Sequence, residues 1–248
     1  MCSSDLRPFE DYAVLYRANA QARAIEDALN RFQIPYSIYG GTKFYERKEI
    51  KDLLAYLRII VNPQDDISVK RVINVPRRGI GLRTIEKLED RASLMKESIY
   101  SIILDVDNNS DISTKAKKSI NEFLDLISIF RTFVDAYSPS QLVEKVLDMT
   151  GYIHELEEVV AKNQNLQNGK AEDAQDRIDN LKEFISIALE YESSDLNNEE
   201  EKNLENFLAT ISLSSDMAEE EEEGLSKVSM MTMHSSKGLE FPVVFIVG

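Results

Sequence analysis

Apolar residues follow two different rhythms along this chain of 248 residues. Tyr12–Arg17 (YAVLYR) is a short run of apolar β-formers and predicts a buried strand. Asn19 can cap a helix over Ala20–Phe32, where Ala22, Ile25, Ala28, Leu29 and Phe32 recur at helical spacing. Ile34–Gly41 (IPYSIYGG) predicts a second strand closed by a glycine pair. Glu46–Asn62 then reads as a long amphipathic helix, stopped by Asn62-Pro63. Strand, helix, strand, helix is the grammar of a parallel α/β sheet.

From Pro63 to about Gly224 only the helical period persists. Lys118–Tyr137, Gln141–Tyr152, Gln175–Glu192 and Lys202–Leu213 carry it, separated by polar loops. Beyond them Val228–His234 and Pro242–Gly248 are again strand-like. VVFIVG is apolar throughout, as a strand covered on both faces would be. The expected fold class is an α/β parallel sheet interrupted by a large all-α insertion domain. The expected division is 1–62 for the first part of the sheet domain, 63–224 for the insertion and 225–248 for the return to the sheet. A sheet fed from both ends of a chain that stops at a strand also predicts a fragment of something longer.

Composition narrows the classes. The single cysteine, Cys2, excludes a disulfide framework and fits a reducing cytoplasm. No apolar run approaches the roughly 20 residues of a membrane span, and no charged start leads into an apolar stretch. Met1–Leu6 reads as a ragged edge rather than an element. A net charge of −15 argues at first against nucleic acid. Much of the acid, however, lies in Glu199–Glu201 and Glu219–Glu223, and Met217–Gly224 is expected to be mobile because like charges repel with no apolar face to bury. Between Lys70 and Arg91 the balance reverses. Lys70, Arg71, Arg77, Arg78, Arg83, Lys87 and Arg91 outnumber Glu86, Glu89 and Asp90.

That basic stretch has a shape. Pro76 ends a helix, Gly79-Ile80-Gly81 supplies a turn, and a second helix starts at Leu82 with Ile85 and Leu88 inward. Glycines allow close backbone approach, and the new helix offers unpaired N–H groups at the positive end of its dipole. With Arg77, Arg78, Arg83 and Thr84 nearby, this resembles a helix-hairpin-helix element that grips duplex phosphates without reading bases. A bare Gly-x-Gly would be only a turn; the proline, the arginines and the restarted helix together favour binding.

Four ordered stretches carry a wider resemblance. Val228–Gly248 (VSMMTMHSSKGLEFPVVFIVG) is similar to motif V of superfamily 1A DNA helicases of the UvrD/PcrA/Rep type, and the likeness is strongest to the PcrA branch. Tyr12–Arg23 (YAVLYRANAQAR), Gly40–Arg58 (GGTKFYERKEIKDLLAYLR) and Asn62–Gly81 match further family motifs in order. The resemblance implies that the sheet is part of the second RecA-like motor domain (2A) and the insertion its accessory 2B domain. It implies that Glu240 accepts a hydrogen bond from the nucleotide sugar while Lys237 and Gly238 line the cleft. Arg17, Asn19 and His234 are implied along the single-strand track, and Gly79, Ile80 and Gly81 on duplex ahead of the fork. By residue type alone, a histidine such as His234 is more often a satisfied strand-end residue than a ligand, Lys237 reads equally as a solvated lysine and Glu240 as a local cap. Phe44 and Tyr45 read as core or hinge packing, and Arg47 with Glu49 or Asp52 as a structural ion pair.

What the sequence lacks matters as well. No Gly-x-x-x-x-Gly-Lys-[Ser/Thr] occurs, nor the family's Asp-Glu pair that holds metal and activates water. ATP and Mg2+ are therefore expected in the full-length enzyme and none on this fragment, which carries no catalytic residue and no metal site of its own. The expected partners are DNA, both single-stranded and at a duplex junction, and the missing first RecA-like domain; no membrane is expected. The reading is a fragment of an ATP-dependent DNA helicase for repair or plasmid replication, inactive alone. The alternative is a non-catalytic duplex-DNA-binding or protein-docking module.

Overall fold

The computed structural model of the chain describes residues 7–17, 19–164, 166, 169–194, 202–219 and 226–247. Met1–Leu6, Glu199–Glu201 and residues 220–224 of the acidic tract lie outside these described residues.

Strands β1 (Tyr12–Tyr16), β2 (Tyr36–Tyr39), β3 (Val228–Thr232) and β4 (Val243–Val247) form one sheet in the order β2-β3-β1-β4. Every pairing is parallel, as the strand-helix-strand pattern predicts. The two ends of the chain meet in this sheet, with Tyr12 opposite Val243 and Tyr16 opposite both Thr232 and Val247. Helix α1 (Ala22–Arg31) covers it, so that Val14, Tyr16, Ala22, Tyr36, Val228 and Met230 form a core with Ile25, Leu29 and Ile38 packed on it.

Local readings differ at three places. Asn19 does not cap α1; it opens a 3-10 turn through Gln21, whose side chain accepts from the Arg17 N–H at 3.0 Å. Ala28 is exposed and Phe32 is 73% exposed, because the helix ends at Arg31 and Gln33 turns the chain at φ 54. The inward positions go instead to Arg23 and Glu26. Finally, VVFIVG is not covered on both faces: Phe245 and Ile246 are 52% and 68% exposed. Among the described residues β4 is an edge strand paired only with β1, and the Tyr12 ring, stacked on Phe245 at 6.4 Å, is its aromatic cover.

By compactness the chain divides into Met1–Arg47 with Thr210–Gly248, and Lys48–Ala209. Between β2 and β3 every helix or strand among the described residues is helical. Helix α2 (Lys48–Val61) buries Ile50, Leu53, Leu54, Tyr56, Leu57, Ile59 and Ile60, an apolar surface too broad for a peripheral helix. It packs against α3 (Asp66–Val72), α6 (Thr114–Phe133), α7 (Pro139–Thr150) and α9 (Lys170–Ser193), which is why compactness groups it with them. The remaining helices are α4 (Leu82–Met95), α5 (Ile99–Leu104), α8 (Tyr152–Asn163) and α10 (Leu204–Glu219).

Polar bonds fix α2 in this bundle. Asp52 pairs with Arg71 at 2.8 Å and accepts from the Tyr152 hydroxyl at 2.8 Å. Glu49 accepts from Asn180 Nδ2 at 2.6 Å and lies 3.5 Å from Arg177, which also reaches the Tyr152 hydroxyl at 3.2 Å. Two buried carboxylates are thus matched by two guanidiniums, as burial of charge requires. Arg47, once a candidate partner for these acids, has its Nε on the Thr42 carbonyl at 3.4 Å and its guanidinium over the Phe44 ring. No helix among the described residues is long and apolar enough to cross a membrane.

Candidate functional site

In parallel sheets, ligands collect at the carboxyl ends of the strands, where the loops can open without breaking the ladder. The segments that follow β1 at Arg17, β2 at Gly40 and β3 at Met233 all begin at that edge. The Met233 N–H donates to the Tyr16 carbonyl at 2.9 Å, which seats the third segment beside Arg17. That segment is self-bonded. Thr232 Oγ1 accepts from the Ser235 N–H at 3.2 Å and bonds the Ser235 hydroxyl at 2.9 Å. Ser236 hydroxyl donates to the Met233 carbonyl at 2.9 Å, and the Leu239 N–H to the Ser236 carbonyl at 3.0 Å. Gly238 then sits at φ +88, where only glycine is unstrained.

This internal bonding consumes the small residues and leaves the chemical ones outside. His234, Lys237, Gly238 and Glu240 are exposed, as is Arg17, while Asn19 is half-buried. The loop after β2 packs on the same edge. A Cβ at Gly40, φ +72, would stand 3.1 Å from Ser235 Oγ, and one at Gly41 4.0 Å from Asn19 Oδ1. Lys43 belongs to this loop and was not singled out from sequence; its Nζ lies 5.9 Å over the Tyr36 ring. A lysine two residues past the Gly-Gly pair that closes the strand was the available signal. Phe44 is core, 1% exposed, with Tyr45 edge-on at 5.3 Å. Burial pushes the Tyr16 hydroxyl up to about 12 and holds it protonated.

The helical unit carries the second candidate. After α3 the Val75–Pro76 peptide is cis, and the turn to α4 is braced from inside. Asn74 Oδ1 accepts the N–H groups of Arg78 at 2.9 Å and Ile80 at 3.1 Å. Arg78 does not face solvent in the manner of a free phosphate ligand. Its Nη1 donates to the carbonyls of Val72 at 3.1 Å and Val75 at 3.0 Å, and its Nη2 to the Tyr56 hydroxyl at 2.7 Å. The guanidinium also lies 5.5 Å from the Phe123 ring centroid. Ser119 hydroxyl of α6 closes the brace on the Arg78 carbonyl at 2.8 Å.

Anchored so, the turn shows its backbone. Ile80 is fully buried, and its neighbours Gly79, at φ +82, and Gly81 are exposed. Gly81 is the N-cap of α4 without a side-chain cap; its carbonyl takes the Thr84 N–H at 2.9 Å, and the N–H groups of Leu82 and Arg83, at the start of this 14-residue helix, have no partner among the described residues. Three other cations of the basic stretch are engaged: Lys70 with Glu89 at 2.5 Å, Lys87 with the Asp111 carbonyl at 2.7 Å, Arg71 with Asp52. Arg77 and Arg83 are exposed and have no partner among the described residues. Lys115 joins them. It lies in the first turn of α6, exposed, with its Cε 4.0 Å from where a Gly79 Cβ would be. Its sequence signal was a helix start carrying lysines, where the dipole favours carboxylates.

Comparison with known proteins now has a geometry to refer to. The UvrD-like helicase C-terminal domain family matches residues 3–248. The chain belongs to this family. It is 40% identical over 251 residues to the ATP-dependent DNA helicase PcrA of Bacillus subtilis, covering 99% of this chain and 32% of that protein. The PcrA helicases of Staphylococcus epidermidis and Staphylococcus aureus are each 39% identical, with 98% of this chain and 31% of those proteins covered. The chain therefore spans about a third of the length of these curated relatives. Among the described residues no group of His, Cys, Asp and Glu is suited to hold a metal.

Proposed function

We propose that this chain is the part of an ATP-dependent DNA helicase that supplies one wall of the nucleotide and single-strand site and a separate duplex grip. The observation that carries the reading is the loop that leaves β3 at the carboxyl edge of the same parallel sheet that presents Arg17 and holds Lys237, Gly238 and Glu240 exposed on its way to β4. A carboxylate at Glu240 suits a sugar hydroxyl, and Lys237 a phosphate. Arg17, Asn19, Lys43 and His234 follow the phosphates of the single strand. In the helical unit the backbone of Gly79–Gly81 and the start of α4 hold duplex phosphates, with Arg77, Arg83 and Lys115 adding charge and Arg78 shaping the turn. The segment from about 63 to 224 is read as the 2B insertion within domain 2A, working in the cytoplasm.

The nucleotide's phosphates and Mg2+ need a phosphate loop and metal-holding acids, and this sequence contains neither. This chain fits the sugar and the outer edge of ATP, and it has no ATPase activity alone. The test has two parts. The isolated chain should release no phosphate from ATP with DNA present. In the full-length protein, Lys237→Ala and Glu240→Ala should depress DNA-stimulated ATPase at least tenfold, about 1.4 kcal/mol of transition-state binding, while duplex binding in the absence of nucleotide stays at the parent level. Hydrolysis by the isolated chain would refute the half-site, and full ATPase in both variants would refute the reading in favour of a docking module.

A further inference from the structure

Glu26 is out of place by ordinary rules, a carboxylate 4% exposed in the middle of a helix that covers a sheet. Its Oε2 accepts from the Tyr36 hydroxyl at 3.3 Å and from the Phe44 N–H at 3.2 Å. Its Oε1 has no hydrogen-bond partner among the described residues. An unsatisfied buried oxygen costs stability, so the carboxylate is a poor choice for holding the core together. What it does well is geometric, because no apolar side chain can receive both donors.

Those donors bracket one loop. Tyr36 opens β2 and Phe44 follows the Gly40–Lys43 segment, so a single carboxylate grips the loop from both sides. Tyr36 in turn lies under the Lys43 ammonium, and Arg47 holds the Thr42 carbonyl at 3.4 Å. At its tip the loop packs close, with Gly40 against Ser235 and Gly41 near Asn19. Glu26, Tyr36 and Lys43 are therefore a continuous series of contacts from the core to the strand-end site.

We propose that Glu26 is a positioning residue for single-stranded DNA: through Tyr36 and Phe44 it fixes the Gly40–Lys43 loop so that Lys43 meets a backbone phosphate beside Asn19. The inference rests on the reading of these strand ends as the single-strand track. Glu26 itself touches no DNA; it acts through the loop.

The experiment uses the full-length protein and a labelled oligothymidylate, with affinity measured by anisotropy over a range of salt. Glu26→Leu fills the same space without a buried charge and keeps the fold. It should weaken binding about tenfold and make the slope of log affinity against log salt shallower by about 0.7, the value for one single-strand phosphate. Glu26→Gln keeps an acceptor oxygen and should restore most of the affinity. Lys43→Ala should match Glu26→Leu, and the double variant should be no weaker than either. Parent affinity and slope in a folded Glu26→Leu protein overturn the proposal, as does full multiplication of the two single effects. Should Glu26→Leu melt below the assay temperature, Tyr36→Phe carries the test with a loss of about threefold, and unchanged binding there is the refuting result. If Arg17→Ala and His234→Ala lose affinity while Glu26→Leu does not, the inference falls and the strand-end reading stands. If Arg17→Ala, His234→Ala and Lys43→Ala all bind as the parent does, the strand-end reading itself falls.

Discussion

Arg77 and Arg78 are neighbours in sequence and opposites in structure, so the same substitution should have opposite consequences. Arg78 makes hydrogen bonds to the Val72 and Val75 carbonyls and the Tyr56 hydroxyl, and its guanidinium lies over the Tyr56 and Phe123 rings. A hydrogen bond from a charged donor contributes about 1.5–3 kcal/mol, and a partly desolvated cation–π contact about 1 kcal/mol. The side chain is only partly buried and alanine lets water reach the freed carbonyls, so the sum is discounted to about 2–4 kcal/mol for Arg78→Ala. For a body of this size, 1 kcal/mol shifts the melting temperature by about 2–4 °C, so the expected fall is about 4–16 °C. Arg77 is exposed and braces nothing. Arg77→Ala should change stability by less than about 0.5 kcal/mol, yet reduce the salt slope of duplex binding by about 1. Calorimetry of the chain, and anisotropy with a duplex-containing oligonucleotide at low salt, separate the two outcomes. The reasoning fails if Arg78→Ala melts with the parent and instead loses duplex affinity with the slope change expected of Arg77→Ala, because the guanidinium would then be a phosphate ligand and not a brace.

The two hairpin glycines should also part company. At Gly81 a Cβ meets nothing within 4 Å and the backbone is extended, so Gly81→Ala should leave the melting temperature unchanged while weakening duplex binding, and equal binding would make the hairpin only a turn. Gly79 is at φ +82, so Gly79→Ala should in addition cost about 1–2 kcal/mol in urea unfolding. Glu26 gives a pH dependence: burial raises its carboxyl above the ordinary value of 4.5, so the folded state binds the proton more tightly than the unfolded one. The stability linked to that proton is present below the ordinary value and lost as pH rises through the raised one, so Glu26→Gln should gain on the parent as pH rises above the ordinary value in urea titrations. Curves that stay parallel across that range would show a carboxyl titrating normally.

How much of this was legible in the sequence follows from the range of the interactions. The strands from both ends of the chain, their parallel pairing, the long helix over Lys48–Val61 and the glycine turn before Leu82 were all readable. Each depends on hydrophobic period, β-branching or glycine freedom, which act over a few residues and survive whatever packs nearby. The family was readable for a related reason. Val228–Gly248 and Tyr12–Arg23 each start from a strand, and the loop after β3 makes local bonds, as Thr232 with Ser235 and Ser236 with Met233 do. That self-sufficiency is written locally.

What tertiary structure alone decided is which of several similar residues faces where. Seven cations lie between Lys70 and Arg91, and nothing local distinguishes Arg77 from Arg78; only the arrival of Tyr56 from α2 and Phe123 from α6 turns one of them inward. Lys115 sits more than 30 positions after Gly79 and joins the hairpin because α6 packs beneath it. Glu26 reads as a solvated helical residue until β2 and the Phe44 turn close over it. Phe32, apolar and in phase with the helix, ends up in solvent because the chain turns at Gln33 first. Sequence determined the elements, through forces that reach one or two helical turns; the fates of individual charges and rings were settled by contacts between segments far apart in the chain, where burial makes each polar group find a partner or leave one oxygen without.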